Sequence, residues 1–374
     1  ADLVYEKPEL KTEIPWLSDL EPPRPVRSLS AEPARLERQA LPAASERTAR
    51  GIHEARIGTG QEIRLSDPLD TWVAEARGSS ARVFAGSLRT PIQSQKTCAI
   101  KIMRPDRVEY ALPLFREEIQ VLALLRDVQG VTPLLECGYI RLDNDQQLPA
   151  DSRSITAEEL TGDVLRYAPE EIVGFLAELA NRAHTGWLPY LAIDKFQQSD
   201  NLLQFCDIGH THGRFLPLDI LLSMAIQICD ILEVAHGRNI VYRDHKILHY
   251  YWLEQYNGIF VIDWNVAKRH SQGLSSEEKQ FDLVQLGARA LHHIFTGRPA
   301  PGALPLGPTR PDEIEAAAHA YRPQWTYDDQ RLPTALKDII EKNLAGGYTQ
   351  VRGLRYDLYQ VFQQLSASGY SETG

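Results

Sequence analysis

Alternation and helical spacing of apolar positions divide the chain into regions. Residues 71–88 (TWVAEARGSSARVFAGSL) and 96–103 (KTCAIKIM) alternate apolar with polar positions around turn-forming Gly and Ser, which predicts paired strands. Residues 114–128 carry Phe115, Ile119, Leu122 and Leu125 at the spacing of an amphipathic helix. Two further strands are predicted over 130–142 and 187–196, separated by a polar insertion near 143–185 that holds a helix over 169–184. Beyond them the pattern is mainly helical, over 217–237, 281–295, 311–320 and 333–365, with a short β-rich piece at 239–268. Ahead of the first strands, residues 1–28 are proline-rich and predict an extended strap or a flexible tail. The Ala-, Glu- and Arg-rich stretch from Ser30 to Ile57 predicts two short helices capped by Ser30 and Ser45.

Composition narrows the function. The 374 residues carry a formal net charge of -10, which gives no electrostatic reason for a nucleic acid or an anionic membrane as partner. Cys98, Cys137, Cys206 and Cys229 are too scattered for a zinc site, and the most apolar helix is interrupted by Asp, Gln and Glu at helical spacing. No transmembrane segment or leader is read, and a reduced, cytoplasmic setting is expected.

Several charged residues stand where phosphate chemistry needs them. Transfer of a terminal phosphoryl group requires cations on the phosphates, a hard-oxygen metal ligand and a carboxylate that orients the acceptor hydroxyl. Lys101 lies on the strand AIK, Glu118 on the face of the next helix shared with Phe115 and Leu122, Asp244 and Lys246 in the loop YRDHK, and Asp263 at the end of the apolar strand VID. In that order they offer a lysine held by a glutamate, an acid and base on one turn, and a carboxylate for a metal.

This order resembles the protein-kinase superfamily from about residue 71 to 365. The resemblance implies an α+β, two-lobed protein-kinase-like fold: an N-terminal extension over 1–66, a β-rich N-lobe over 67–196 containing the 143–185 insertion, and a mainly helical C-lobe over 197–374. It further implies that Lys101 contacts the α and β phosphates of ATP, Glu118 pairs with Lys101, Asp244 is the catalytic carboxylate and Lys246 steadies the transferred phosphate. Asp263 would bind Mg2+. Gly78, Ser79, Ser80 and Val83 would form the phosphate-covering loop, and Ala99, Ile193, Asp194 and Phe196 would line the adenine. Asp282 would brace the catalytic loop.

The chain also departs from that pattern. Of the loop glycines only Gly78 remains, with Ala76 and Ala81 at the flanking positions, and Asp263-Trp264-Asn265 replaces Asp-Phe-Gly. Trp264 is expected to fill the space of the phenylalanine, and Asn265 to accept turn geometry in place of glycine. His249 stands at the position of a metal-binding asparagine, either as a ligand better suited to Mn2+ than Mg2+ or as a packed side chain bonded to Asp263. Arg243 is a candidate partner for a phosphorylated Ser271, Ser275 or Ser276, or for Glu277 or Glu278. The interval from Asp263 to Asp282 is short, which reduces any peptide-docking platform. Three functions follow: a divergent serine/threonine kinase acting on a protein acceptor, a nucleotide-binding pseudokinase that engages a signalling partner, and a small-molecule phosphotransferase.

Overall fold

The structure, a computed structural model, describes residues 53–58, 61–69, 78, 80–89, 95–143, 146, 148, 160–206, 215–303 and 325–367. The strap over 1–28, the helices expected up to residue 52, Ala76, Ser79 and the helix expected over 311–320 lie outside them.

In chain order the elements are β1 (His53–Ile57), β2 (Ile63–Pro68), β3 (Ala81–Leu88), β4 (Lys96–Met103), α1 (Val108–Leu124), β5 (Leu134–Leu142), β6 (Gly162–Tyr167), α2 (Ile172–His184) and β7 (Leu188–Asp194). There follow α3 (Leu218–Gly237), β8 (Ile240–Val241), β9 (Tyr250–Leu253), β10 (Gly258–Val261), β11 (Lys268–Arg269) and α4 (Ser276–Leu286). A π-helical turn, Gly287–Leu291, links α4 to α5 (His292–Thr296), followed by α6 (Thr334–Leu344) and α7 (Val351–Ala367), with short 3-10 turns between some of these elements.

The expected two-lobed protein-kinase-like fold is corrected here. The strands close into a seven-stranded barrel in the order β1-β2-β3-β4-β7-β5-β6, where a two-lobed kinase fold would not have a closed barrel. The cause lies in the two segments read as additions. β1 comes from the stretch expected to be helical, β6 from the insertion, and they pair antiparallel from His53–Arg166 to Ile57–Gly162. β1 then meets β2 in parallel at Ile57–Ile63, so neither end of the sheet is left as an edge. The barrel thus begins before residue 67.

Alternation along the strands separates two faces. Leu65, Phe84, Ile100, Ile102, Ile140, Val164, Tyr190 and Ala192 form the buried cluster inside the barrel, and each buried aliphatic side chain contributes about 1.5–3 kcal/mol. Val83, Ala99, Lys101 and Ile193 point the other way, as the registers Val83–Lys101 and Ala99–Ile193 require. Buried Glu136 accepts from buried Tyr190 Oη at 2.7 Å and from the half-buried Arg166 Nε at 3.1 Å.

α1 packs on β4 and β5 and against α2, which turns Glu118 toward Lys101. In the helical part, α3 is buried on most of its surface and packs along α7, with an Asp230–Arg355 ion pair between them. Among the described residues no helix is long and apolar enough to cross a membrane.

Gly138 on β5 tests the barrel packing. A Cβ there would lie 2.1 Å from the Leu165 carbonyl oxygen and 2.6 Å from the Tyr190 ring. Gly138→Ala should lower stability by about 2 kcal/mol or more, read as a reduced urea midpoint; an unchanged midpoint contradicts the strand packing described.

Candidate functional site

Lys101 is the centre of the site. Its ammonium lies 2.9 and 2.7 Å from the two Glu118 oxygens and 2.6 Å from Asp263 Oδ1. Burial pulls the lysine pKa down, but Asp263 and Glu118 together raise it above its ordinary value. Burial raises the Glu118 carboxyl, and Lys101 opposes that shift. For Asp263 burial acts in the same sense, but Lys101 and His249 outweigh it and hold the carboxylate low. One cation therefore serves two carboxyl groups. Asp263 is the open member, with 27% of its side chain exposed against 9% for Lys101.

The turn after β10 aims Asp263 into this position. Its φ of 60° is left-handed, a conformation costly for a residue other than glycine. Left-handed geometry therefore falls on Asp263 rather than on Asn265, where the sequence placed it. Trp264 is fully buried and meets Tyr242 edge-on at 4.7 Å, filling the expected hydrophobic space and anchoring the turn.

A second hub fixes the loop 242–246. Asp282, fully buried within α4, accepts from the backbone N–H groups of Tyr242 (3.1 Å) and Arg243 (2.6 Å) and from His236 Nε2 (2.7 Å) and His245 Nε2 (3.0 Å). Burial alone would raise its pKa, yet the His245 and His236 contacts hold it far below the usual carboxylate range. The expected bracing role of Asp282 has a geometry. The same loop carries the left-handed Arg243, with φ of 70°.

Asp244 and Lys246 form an ion pair at 2.9 Å, and the other Asp244 oxygen meets Arg289 at 2.7 Å. Arg289 rises from the π-helical turn with 0% of its surface exposed. Burial opposes ionisation of Asp244, but Lys246 and then Arg289 hold its pKa far below the usual range. Such a carboxylate orients a hydroxyl well and takes its proton poorly.

His249 links the two hubs. The Tyr242 hydroxyl donates to the Ile262 carbonyl at 2.7 Å, so its oxygen accepts from His249 Nδ1 at 2.9 Å, and the Asp244 carbonyl is a second acceptor at 3.0 Å. Nδ1 therefore carries the ring proton, and Nε2 faces Asp263 Oδ2 at 3.4 Å. Burial pushes the imidazole pKa down to about 4, although Asp263 and Asp244 pull it upward.

The outer barrel face brings Val83, Ala99 and Ile193 together beside Lys101. Phe196, just beyond β7, lies 5.1 Å from Tyr251 and 5.2 Å from Phe260, so three rings gather there. The Asp194 carboxylate is engaged by Lys96 at 2.8 Å. Gly78 is a close-approach position, since a Cβ there would meet the Ala81 carbonyl oxygen at 2.7 Å. Ser80 does not sit at an open loop tip: it is buried at the start of β3, and its carbonyl accepts from Arg104 N. Ser275 caps α4 by accepting from Glu278 N, and Glu278 reaches back to Ser275 N and to His270. The segment after Asp263 is further tied to α1 by Arg269, whose backbone N–H and guanidinium meet Glu117 and Gln120.

Sequence reasoning missed Tyr251, Phe260 and Arg289. The signal for Arg289 was a charge inside the apolar run LVQLGARALHHIF, and Tyr251 was one of several aromatics in HYYW.

The donor set fits a divalent cation only in part. Among the described residues no three His, Cys, Asp or Glu side chains gather to hold a metal by themselves. Asp263 and His249 supply an edge of two ligands, which suits an ion completed by phosphate oxygens and water. No family model matches the chain, and no curated protein matches it in sequence.

The neutral imidazole has a stability consequence. His249 takes up a proton near pH 6.5 in the unfolded chain but only near 4 when folded. Its contribution is therefore complete above about pH 6.5 and is lost as pH falls toward 4, by at most about 3 kcal/mol. Urea unfolding of metal-free protein across that range should show this acid limb, and His249→Asn should flatten it. An identical slope in both proteins contradicts the buried neutral ring.

Proposed function

We propose that this chain transfers the terminal phosphoryl group of ATP to a hydroxyl of a protein acceptor, a divergent serine/threonine-kinase chemistry carried on a barrel rather than on a two-lobed fold. One observation carries the reading: Lys101 sits between Glu118 and Asp263, and Asp263 is linked through His249 to the Asp244–Lys246 pair. Phosphoryl transfer proceeds through a loose transition state, so positioning and charge neutralisation matter more than a strong base.

In this reading Val83, Ala99, Ile193 and the ring of Phe196 hold the base, and Lys101 neutralises phosphate charge while Glu118 keeps its ammonium in place. A divalent ion held at Asp263, Mg2+ or Mn2+, would neutralise charge on the terminal phosphate oxygens. Asp244 orients the acceptor hydroxyl, and Lys246 lies beside the group being transferred. The acceptor oxygen–phosphorus bond forms as the bond to ADP breaks. Because Lys246 and Arg289 hold Asp244 strongly acidic, the hydroxyl proton is not taken by Asp244 beforehand but passes late in the step to an oxygen of the transferred phosphoryl group, from which solvent removes it.

A second reading, a nucleotide-binding pseudokinase that engages a signalling partner, is favoured by one observation. Both Asp244 oxygens are engaged by buried cations, and the residue is 2% exposed.

Incubation of the full chain with ATP, either metal and a panel of protein substrates separates the two. The first reading expects transfer to itself or to a substrate that Asp263→Ala abolishes and Asp244→Asn reduces at least about a hundredfold. Nucleotide binding without transfer in the wild type overturns it in favour of the second.

A further inference from the structure

A ring nitrogen and a carboxylate oxygen face each other at the open side of the site. His249 Nε2 and Asp263 Oδ2 stand 3.4 Å apart. The ring proton of His249 is committed on Nδ1, because both groups that Nδ1 meets, the Asp244 carbonyl and the Tyr242 hydroxyl whose own proton goes to Ile262, can only accept. The other oxygen of Asp263 is committed to Lys101 at 2.6 Å. Nε2 of the ring and Oδ2 of the carboxylate are thus the two atoms left opposite one another for a bound ion to engage. The ring is not free to turn away, since it is nearly buried and fixed through Nδ1.

A cation between the two satisfies both. Metal–nitrogen and metal–oxygen bonds of about 2.1 Å each reach across such a gap. Lys101 and a metal use different oxygens of Asp263, so the ion pair and the metal do not compete for one acceptor.

We infer that His249 and Asp263 form a mixed nitrogen–oxygen edge that selects Mn2+ or another first-row transition ion over Mg2+, with phosphate and water oxygens completing its shell. This rests on the nucleotide-binding reading above and assigns the ion that reading leaves open. Mg2+ is a hard ion that prefers oxygen and gives up water reluctantly. An imidazole in its shell favours the transition ions, whose affinity for nitrogen is higher. His249→Asn replaces the nitrogen donor with an amide oxygen and removes the basis for that choice.

Pulsed electron paramagnetic resonance of Mn2+ on the full chain, with a non-hydrolysable ATP analogue, tests this directly. Nucleotide binding is followed in parallel with a fluorescent ATP analogue, with and without chelator. The wild type should show nitrogen coupling from a single imidazole, absent in His249→Asn, with His249→Gln as the substitute if that variant fails to fold. Displacing Mn2+ with Mg2+ should require at least about tenfold more Mg2+ in the wild type than in the variant. Nucleotide and Mn2+ bound without nitrogen coupling overturn the assignment and leave the phosphotransfer reading standing. Absence of nucleotide binding under every condition removes both.

Discussion

A single buried ammonium shared by two carboxylates is the interaction on which this molecule's organisation depends. Lys101 comes from the outer face of β4, Glu118 from α1 and Asp263 from the turn after β10, so the contact ties barrel, helix and helical part together. Taking three charges from water is costly, and removing one partner of such a buried group typically costs about 3–5 kcal/mol. In the proposed function, an arrangement of that cost, with its most open member on one side, holds a cation ready for an anionic ligand. The left-handed backbone of Asp263 stores strain at the same place.

The second hub works in the opposite sense. Asp282 collects four donors and fixes the shape of the loop, while Arg289 and Lys246 hold Asp244 in its ionised form. The π-helical turn that delivers Arg289 is an irregularity of the kind found at functional positions. The two hubs meet at His249, whose Nδ1 contacts the backbone of Asp244 and whose Nε2 faces Asp263. The two hubs are thereby joined through one buried ring.

Much of the cluster was legible in the sequence, because charged residues placed in apolar strands and helices stood out in a particular order. Lys101, Glu118, Asp244, Lys246 and Asp263 do gather, and the strands that carry Val83, Ala99 and Ile193 were legible from their alternation. The barrel was not. Its closing strands, β1 and β6, are short, and they lie in segments whose composition suggested helix and insertion. Pairing between residues so far apart leaves no local signature, and tertiary contact overrode the weak helical propensity of HEARI. Ser80 was misjudged for a related reason: burial at a strand start depends on what β3 packs against. The conflict between Arg289 and its apolar surroundings was visible, but its partner could not be found without the fold.

The shared ammonium is tested most directly by isothermal titration calorimetry of ATP into the wild type and Lys101→Met. The wild type should bind with an affinity that falls from ATP to ADP to AMP, and the variant, which keeps the length of the side chain without its charge, should bind ATP at least about tenfold more weakly. Equal affinity in the two proteins, or no preference for the triphosphate, would contradict the account.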